Sequence, residues 1–196
     1  MAIAAEVDIR TRRTRKLILD SFKDLLHEKT FESVRISDIT NKAEINRATF
    51  YNHFMDKYQL LDVLTEETLL AHIRANLTEN EVYSPDLMKN IYLTLTDFHT
   101  DMSAICRKNY VEDLALYTSQ VLREEIKQTI LRSIQLKYVN GDRQRLEALS
   151  ATLSWFVIGL AYEWKRSKNI SAEDYFERFR EDYERLIFDE KEEASR

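Results

Sequence analysis

The sequence predicts an all-α protein, and three of its properties support this expectation. Its 196 residues include only two glycines and one proline, too few for a turn-rich β structure. Apolar residues make up 44% of the chain, enough for a substantial core. They recur at helical spacing, without the alternation typical of strands. We therefore expect about nine helices, with three in an N-terminal head at residues 1–56 and the rest in a C-terminal helical bundle body at residues 57–196.

The first helix of the head follows a loose tail at residues 1–9 and carries a basic cluster. The cluster either reaches DNA phosphates or forms a solvated basic end, and the sequence favours neither alternative over the other. Its members are Arg10, Arg12, Arg13, Arg15 and Lys16.

A helix-turn-helix motif is predicted at about residues 35–54. Ile36, Ile39 and Ala43 form the apolar stripe of its first helix. Asn46 then offers a side-chain oxygen to the free N–H groups of a second helix that begins at Arg47. The head is therefore expected to be a DNA-binding domain.

The second helix of the motif presents hydrogen-bond donors on its outer side, which suits a major groove. Arg47 is a candidate for guanine edges, Asn52 for adenine edges and Ala48 for a thymine methyl. The other polar side chains are expected to contact phosphates. The predicted DNA-binding set is Arg35, Asn46, Arg47, Ala48, Thr49, Tyr51, Asn52, His53 and Lys57.

Residues 43–61, Ala-Glu-Ile-Asn-Arg-Ala-Thr-Phe-Tyr-Asn-His-Phe-Met-Asp-Lys-Tyr-Gln-Leu-Leu, resemble the TetR/AcrR (tetracycline-repressor) family of bacterial transcriptional regulators. The resemblance is specific in Thr-Phe-Tyr-x-His-Phe at residues 49–54 and in Lys57. Glu44 departs from the family, which usually has Gly there, and Arg35 replaces the usual capping Thr. The resemblance covers about residues 12–65 and implies a homodimeric repressor, released from a palindromic operator by a small-molecule effector.

The net charge of −5 is unevenly distributed. Residues 1–60 contain 11 Lys and Arg against 9 Asp and Glu, whereas the remainder contains 18 against 25. A slightly basic head on an acidic body can present a local positive face to DNA.

The body begins with a fourth helix from Asp56 that carries two apolar stripes and is expected to touch both head and body. Ser84 followed by Pro85 predicts the start of the next helix, and a separate short helix is expected at residues 101–108. Gly141 is expected to end a long helix in a left-handed turn. Ser171 is the predicted cap of the last helix.

The helix at about residues 143–167 is apolar nearly all round in its middle, which predicts burial on every side, with one side covered by a second subunit because the chain is small. The resemblance implies that the last two helices form a four-helix bundle with those of a second copy; alternatively, they only complete the core of one chain. The predicted dimer interface comprises Trp155, Phe156, Gly159, Tyr162, Phe176, Phe179 and Tyr183.

The body is also rich in aromatic residues, which at helical spacing usually form a core. The resemblance implies that some of them line an effector pocket between helices. The candidates are Tyr92, Phe98, Tyr110, Tyr117, Tyr138 and Trp155.

Other classes of function have little support in the sequence. The spacing of His and Cys does not suit a metal site, and no glycine-rich phosphate loop occurs, so we expect no metal, no cofactor and no enzymatic activity. A cytoplasmic protein without membrane contact is expected, because no apolar run approaches ~18 residues, no signal pattern is seen and Cys106 is the single cysteine. The alternative function is an all-α co-regulator that works through protein partners; Glu44 and the acidic net charge are its support.

Overall fold

The computed structural model of the protein describes residues 2–78, 81–106, 115–167 and 169–188. All its regular elements in these ranges are helical, which confirms the all-α fold. The α-helices are α1 (Ala2–Glu28), α2 (Ile36–Lys42), α3 (Arg47–Tyr51), α4 (Lys57–Asn76), α5 (Pro85–Ile105), α6 (Ala115–Lys137), α7 (Arg143–Arg166) and α8 (Ala172–Phe188), and a single 3-10 turn covers Phe31–Ser33.

The described residues thus form eight α-helices, where about nine were expected. The separate helix predicted at residues 101–108 is wrong, because α5 continues without a break to Ile105. No helix breaker interrupts this stretch, and the buried stripe of Leu95, Phe98 and Met102 carries on to Ile105 at helical spacing.

The tail predicted at residues 1–9 is also wrong, because α1 begins at Ala2. The first residues contain three alanines and no glycine or proline. Alanine has the best helix propensity, so this segment extends the helix that follows it.

The chain divides into two compact units. The first consists of residues 1–68 and 100–118, and the second of residues 69–99 and 119–196. The core of the first unit is built mainly from α1, α2, α3 and the start of α4, with Ile18, Phe22, Ile39, Phe50 and Leu60 fully buried.

The second unit is a helical body whose core comes from one face of each of its helices. Leu69 of α4, Ile91 of α5, Ile126 of α6 and Val157 of α7 have no exposed surface. Phe176 of α8 packs against Tyr92 of α5, with 5.2 Å between the ring centroids.

The predicted helix starts in the body are confirmed by their hydrogen bonds. The Leu87 amide donates to Ser84 Oγ at 3.1 Å, directly before Pro85 begins α5. The Asp174 amide donates to Ser171 Oγ at 3.0 Å at the start of α8. These side chains satisfy amides that have no partner within their helices.

The left-handed turn predicted at Gly141 is wrong, since no glycine has a positive φ. Its amide instead donates to the Tyr138 carbonyl oxygen at 2.9 Å. A Cβ at Gly141 would lie 3.1 Å from Leu146 Cδ1 and 3.2 Å from that same carbonyl oxygen, so glycine serves here as a small residue at a close approach.

The start of α2 is held by a carboxylate that two donors share. Asp38 Oδ2 accepts from the Arg35 amide at 2.9 Å and from Lys29 Nζ at 2.7 Å. The Lys29 hydrogen bond, followed by that of the Arg35 amide, holds the pKa of Asp38 below its usual value. The charged carboxylate is therefore favoured in the folded state.

We predict that Asp38→Asn lowers stability more at pH 6.5 than at pH 3. A carboxyl group whose pKa is depressed by folding stabilises the protein above its unfolded pKa of about 3.9, and this contribution is lost as pH falls through the folded pKa. The difference in unfolding free energy between Asp38→Asn and the unsubstituted chain, measured in urea, should shrink at low pH. Asp20→Asn is the control, because Asp20 is an exposed carboxylate of α1. An equal difference at both pH values would contradict the role given to the charge.

Candidate nucleic-acid interface

The turn between α2 and α3 is closed by backbone hydrogen bonds. The Ile45 amide donates to the Thr40 carbonyl oxygen at 3.0 Å, and Ala43 is buried beneath the turn. Glu44 has a φ of 53°, a left-handed conformation that favours glycine. The glutamate that this sequence has in place of the family's usual glycine therefore adopts a strained backbone conformation.

The start of α3 is fixed by Asn46, which confirms its predicted cap. Asn46 Oδ1 accepts from the Thr49 amide at 2.7 Å. The oxygen is thereby occupied, and the side-chain NH2 of Asn46 is the group that can reach a ligand. The helix itself extends over five residues only, shorter than the predicted span to His53.

The inner side of α3 is anchored by two phenylalanines, Phe50 and Phe54, which are almost completely buried. The guanidinium of Arg15 in α1 lies 4.4 Å from the centroid of the Phe54 ring. Arg15 Nη1 also donates to the His53 carbonyl oxygen at 3.3 Å. Arg15 therefore secures the C-terminal end of α3 to α1.

From the sequence, Arg15 is one member of a basic cluster that either reaches phosphates or is solvated, and neither interpretation includes this packing role. Its position contained the signal, because Arg15 precedes Ile18, Phe22 and Leu26 at helical spacing on the buried face of α1. Arg10, Arg12, Arg13 and Lys16, the other members of the cluster, are exposed.

The outer side of α3 exposes most of the predicted DNA-binding residues together. Tyr51 is 55% exposed, and its ring stands perpendicular to Phe50 at 5.4 Å. Thr49 and His53 are half-buried at the edge of this face. We call the exposed set the α3 outer face: Asn46, Arg47, Ala48, Tyr51 and Asn52. Arg35 is exposed as well, at the start of α2.

Lys57 is the exception, and its predicted phosphate contact needs correction. Its Nζ donates to the carbonyl oxygens of Phe31, Glu32 and Val34 at 2.8, 2.9 and 3.1 Å. An ammonium has three N–H donors, so all are used within the protein. Burial lowers the pKa of Lys57, against a smaller opposing effect of Glu32. Lys57 thus ties the start of α4 to the 3-10 turn.

The residues proposed for an effector pocket are not gathered at one described cleft. Tyr92 and Phe98 have no exposed surface, whereas Tyr138 and Trp155 are about half exposed. Tyr110 and the side chain of Tyr117 lie outside the described residues. None of the other four lines the cleft of about 210 Å³ at α4, α5 and α6 or the one of about 260 Å³ beside Asn76 and Asn90.

The predicted interface residues divide between the surface and the core. Trp155, Phe156 and Phe179 are 49%, 36% and 41% exposed. Gly159 is exposed with open space where a Cβ would lie, and Tyr162 is half-buried. Phe176 is buried on Tyr92, so its side chain belongs to the chain's own core. The side chain of Tyr183 lies outside the described residues.

Within one chain, the middle of α7 is buried on one face, and burial of its other side by a second subunit stays a prediction. Ser150, Leu153, Ser154, Val157 and Ala161 face the core. The opposite face carries the exposed aromatics named above. In addition, no described helix is both long enough and apolar enough to cross a membrane.

Two buried titratable side chains are held in their neutral forms. Burial, with a smaller contribution from Lys165, lowers the pKa of His99 to about 4. Burial raises the pKa of the Cys106 thiol to about 12. Near neutral pH, neither side chain carries charge.

These elements define a helix-turn-helix protein, with two short capped helices and an exposed polar outer face on the second. Residues 18–64 match the family model described as bacterial regulatory proteins, tetR family. This match confirms the family predicted from the motif.

Individual relatives match this chain over only part of their own length. YxbF of Bacillus subtilis (strain 168), an uncharacterized HTH-type transcriptional regulator, is 33% identical over 95 residues, which are 46% of this chain and 25% of that protein. DhaS of Lactococcus lactis subsp. lactis (strain IL1403), an HTH-type transcriptional activator of the dhaKLM operon, is 36% identical over 63 residues, 32% of this chain and 34% of that protein. The chain thus spans a quarter to a third of these curated relatives.

The crystal structure of the TetR family repressor AlkX from Dietzia sp. strain DQ12-45-1b, implicated in biodegradation of n-alkanes, superposes with a TM-score of 0.46 at 14% identity. The superposition covers 85% of this chain and 91% of that one.

We predict that Lys57→Met lowers the unfolding free energy by about 1–3 kcal/mol, because three carbonyl oxygens lose a charged donor. Urea denaturation measures the effect. Lys23→Met is the matched control, since Lys23 is an exposed lysine of α1 and its loss should leave stability nearly unchanged. Unchanged stability of Lys57→Met combined with weaker DNA binding would return Lys57 to the phosphate-contacting set.

Proposed function

We propose that the chain is a homodimeric, sequence-specific DNA-binding transcriptional regulator. The observation that carries this proposal is the α3 outer face, where five exposed side chains lie on α3 and its two flanking cap residues, above an inner side anchored by Phe50 and Phe54. A rigid helix with exposed donors is the arrangement that helix-turn-helix proteins insert into a major groove.

The chemistry of the α3 outer face suits both kinds of DNA contact. Arg47 and Asn52 have the side chains that pair with guanine and adenine edges. The Tyr51 hydroxyl and the Asn46 NH2 are neutral donors suited to phosphates, which position the protein without reading sequence. The head also carries the excess of positive charge, which favours approach to a polyanion.

A second copy of the chain is the occupant that we propose for the exposed face of α7. Trp155 and Phe156 lie one turn before Gly159 in α7. At Gly159 itself, a partner helix can approach without meeting a side chain. Phe179 of α8 adds a further exposed ring. Contiguous exposed aromatics typically mark an interaction surface. In a dimer with two-fold symmetry, two copies of α3 would read half-sites about 34–36 Å apart, or a multiple of that distance, in a palindromic operator.

We further propose that operator binding represses transcription and that a small-molecule effector releases the protein. The dimer would exist in two states, one whose heads match the half-site spacing of the operator and one whose heads do not. A ligand that binds the second state more tightly would shift the population towards it and so weaken operator binding. The relative DhaS is named an activator. Whether this protein represses or activates transcription is therefore tested directly, by measuring expression of a reporter gene with and without it. A regulator of this kind would act in the cytoplasm.

We predict that Tyr51→Ala weakens operator binding about tenfold or more, through loss of a hydrogen bond to a charged phosphate and of the ring contact. Footprinting on the neighbouring intergenic DNA supplies the operator fragment, and fluorescence anisotropy at fixed salt measures the dissociation constant. Tyr138→Ala is the matched control, because Tyr138 is a similarly exposed tyrosine of the body. Equal affinity of the Tyr51→Ala variant and the unsubstituted chain would refute the assignment of Tyr51.

Failure of the unsubstituted chain to bind any upstream fragment at low salt would instead favour the co-regulator that works through protein partners. A partner-binding protein has no need of salt-dependent DNA affinity, whereas a protein held by phosphate contacts must show it.

We predict that Gly159→Glu converts the dimer to monomers and leaves the fold of each chain unchanged. The substitution meets open space within one chain, and glutamate has a better helix propensity than glycine. In the dimer it would bury an unpaired charge against its symmetry copy. Analytical ultracentrifugation measures the mass, and circular dichroism checks helicity. Gln135→Glu, an exposed position in α6, is the control. A Gly159→Glu protein that stays dimeric places the interface elsewhere.

A further inference from the structure

The end of α4, the segment before α5 and one face of α6 enclose a cleft of about 210 Å³ in the body. Its apolar floor consists of Leu70, Ile73, Leu77 and Leu87. The volume corresponds to that of roughly seven water molecules at about 30 Å³ each, and it is smaller than the pockets of about 300–1,000 Å³ that hold drug-sized ligands. The cleft is therefore suited to a short molecule with an apolar portion.

Four charged side chains, Arg74, Arg132, Glu81 and Glu125, line the same cleft. Within the described part of the chain, no ion pair joins any of them to one another. Among the described residues, Arg132 Nη2 donates to Thr129 Oγ1 alone, at 3.2 Å, and Glu81 accepts from Thr78 Oγ1 alone, at 3.3 Å. The side chains of Arg74 and Glu125 make no hydrogen bond within the described ranges.

This lack of pairing is not general in the body. Arg180 lies 3.1 Å from Asp86, 3.5 Å from Glu177 and 2.7 Å from Glu184. Lys89 pairs with Glu177 at 2.7 Å. Lys89 and Arg180 therefore show that charges on neighbouring helices α5 and α8 do pair, whereas no ion pair in the described ranges joins the four charges of the cleft.

The charges of both signs are distributed along the cleft. Glu125 and Arg132 are seven residues apart in α6, which corresponds to about 10 Å along a helix axis. The segment that carries Glu81 is fixed to α6, because the Tyr83 amide donates to the Ser133 carbonyl oxygen at 3.2 Å. The cleft thus offers donors and acceptors at separate points above one apolar floor.

We infer that this cleft binds a small zwitterion with an apolar body, of the size and kind of a large apolar amino acid. Its carboxylate would meet the guanidinium groups of Arg74 and Arg132, its ammonium a glutamate, and its hydrocarbon part the leucine floor. A simple anion would leave two carboxylates facing it, and a simple cation would leave two guanidiniums. A zwitterion complements both signs of charge, so it is the class that the lining favours.

Binding to the cleft is independent of the proposed function, but its role as the effector site rests on that function. Calorimetry on the full chain without DNA tests binding with three matched probes: leucine, 4-methylpentanoate, which lacks the ammonium, and 3-methylbutylamine, which lacks the carboxylate. We expect leucine to bind. Each single-charge probe should bind at least about tenfold more weakly than leucine, or not at all. Equal binding of either analogue, or no heat with any probe, overturns the inference.

Two variants locate the site. Arg74→Gln and Glu125→Gln should each weaken leucine binding about tenfold, while Arg178→Gln, an exposed arginine of α8, should not. Leucine binding that is unaffected by both cleft variants overturns the assignment of the site. Operator affinity is measured separately: a chain that binds leucine but no DNA contradicts the proposed function alone, and a chain that binds DNA but no leucine contradicts the cleft alone.

Discussion

The structure of the head depends on the burial of Phe50 and Phe54 beneath α3. A helix of five residues cannot form on its own in water, because nucleation fixes several residues for one hydrogen bond. Its stability must come from tertiary packing, and the two phenylalanines provide the packing surface. Arg15 completes it, because its guanidinium covers the Phe54 ring and donates to the carbonyl oxygen of His53. The outward direction of Tyr51 and Asn52 is thus a consequence of where the phenylalanines are buried.

The caps perform a related task at the other ends of the short helices. In α2 and α3, most backbone amides and carbonyls lie within one turn of an end, so side chains must satisfy them. Asp38 does this for α2 and Asn46 for α3. The left-handed Glu44 between them costs conformational energy that the surrounding contacts offset. A head built from such short helices is therefore specified by a few polar contacts as much as by its core.

The parts of this fold that could be predicted from the sequence are those that depend on neighbours in the chain. The caps at Asn46, Ser84 and Ser171 and the apolar stripes follow from local spacing, and the structure has them where they were expected. The prediction was wrong where a side chain's partners are residues far away in the sequence. Lys57 has a long side chain for which a phosphate and three carbonyl oxygens are chemically equivalent targets, and only the position of the 3-10 turn distinguishes them. For α7, whose pattern is apolar all round, the sequence does not tell which face a single chain leaves exposed, and only the packing shows that it is the face with Trp155.

The uneven charge of the chain gains a physical role under the proposed function. Non-specific affinity for DNA comes almost entirely from phosphate neutralisation, and it falls steeply with salt. The acidic remainder of the chain is repelled by the same phosphates that attract the head. Repulsion of this kind acts on every sequence equally, whereas the base contacts of Arg47 and Asn52 act only at a matching site. Under the proposed function, an acidic body thus lowers the affinity for matching and non-matching DNA by the same factor, so the net charge of −5 limits the overall affinity and the preference for an operator has to come from the base contacts of the α3 outer face.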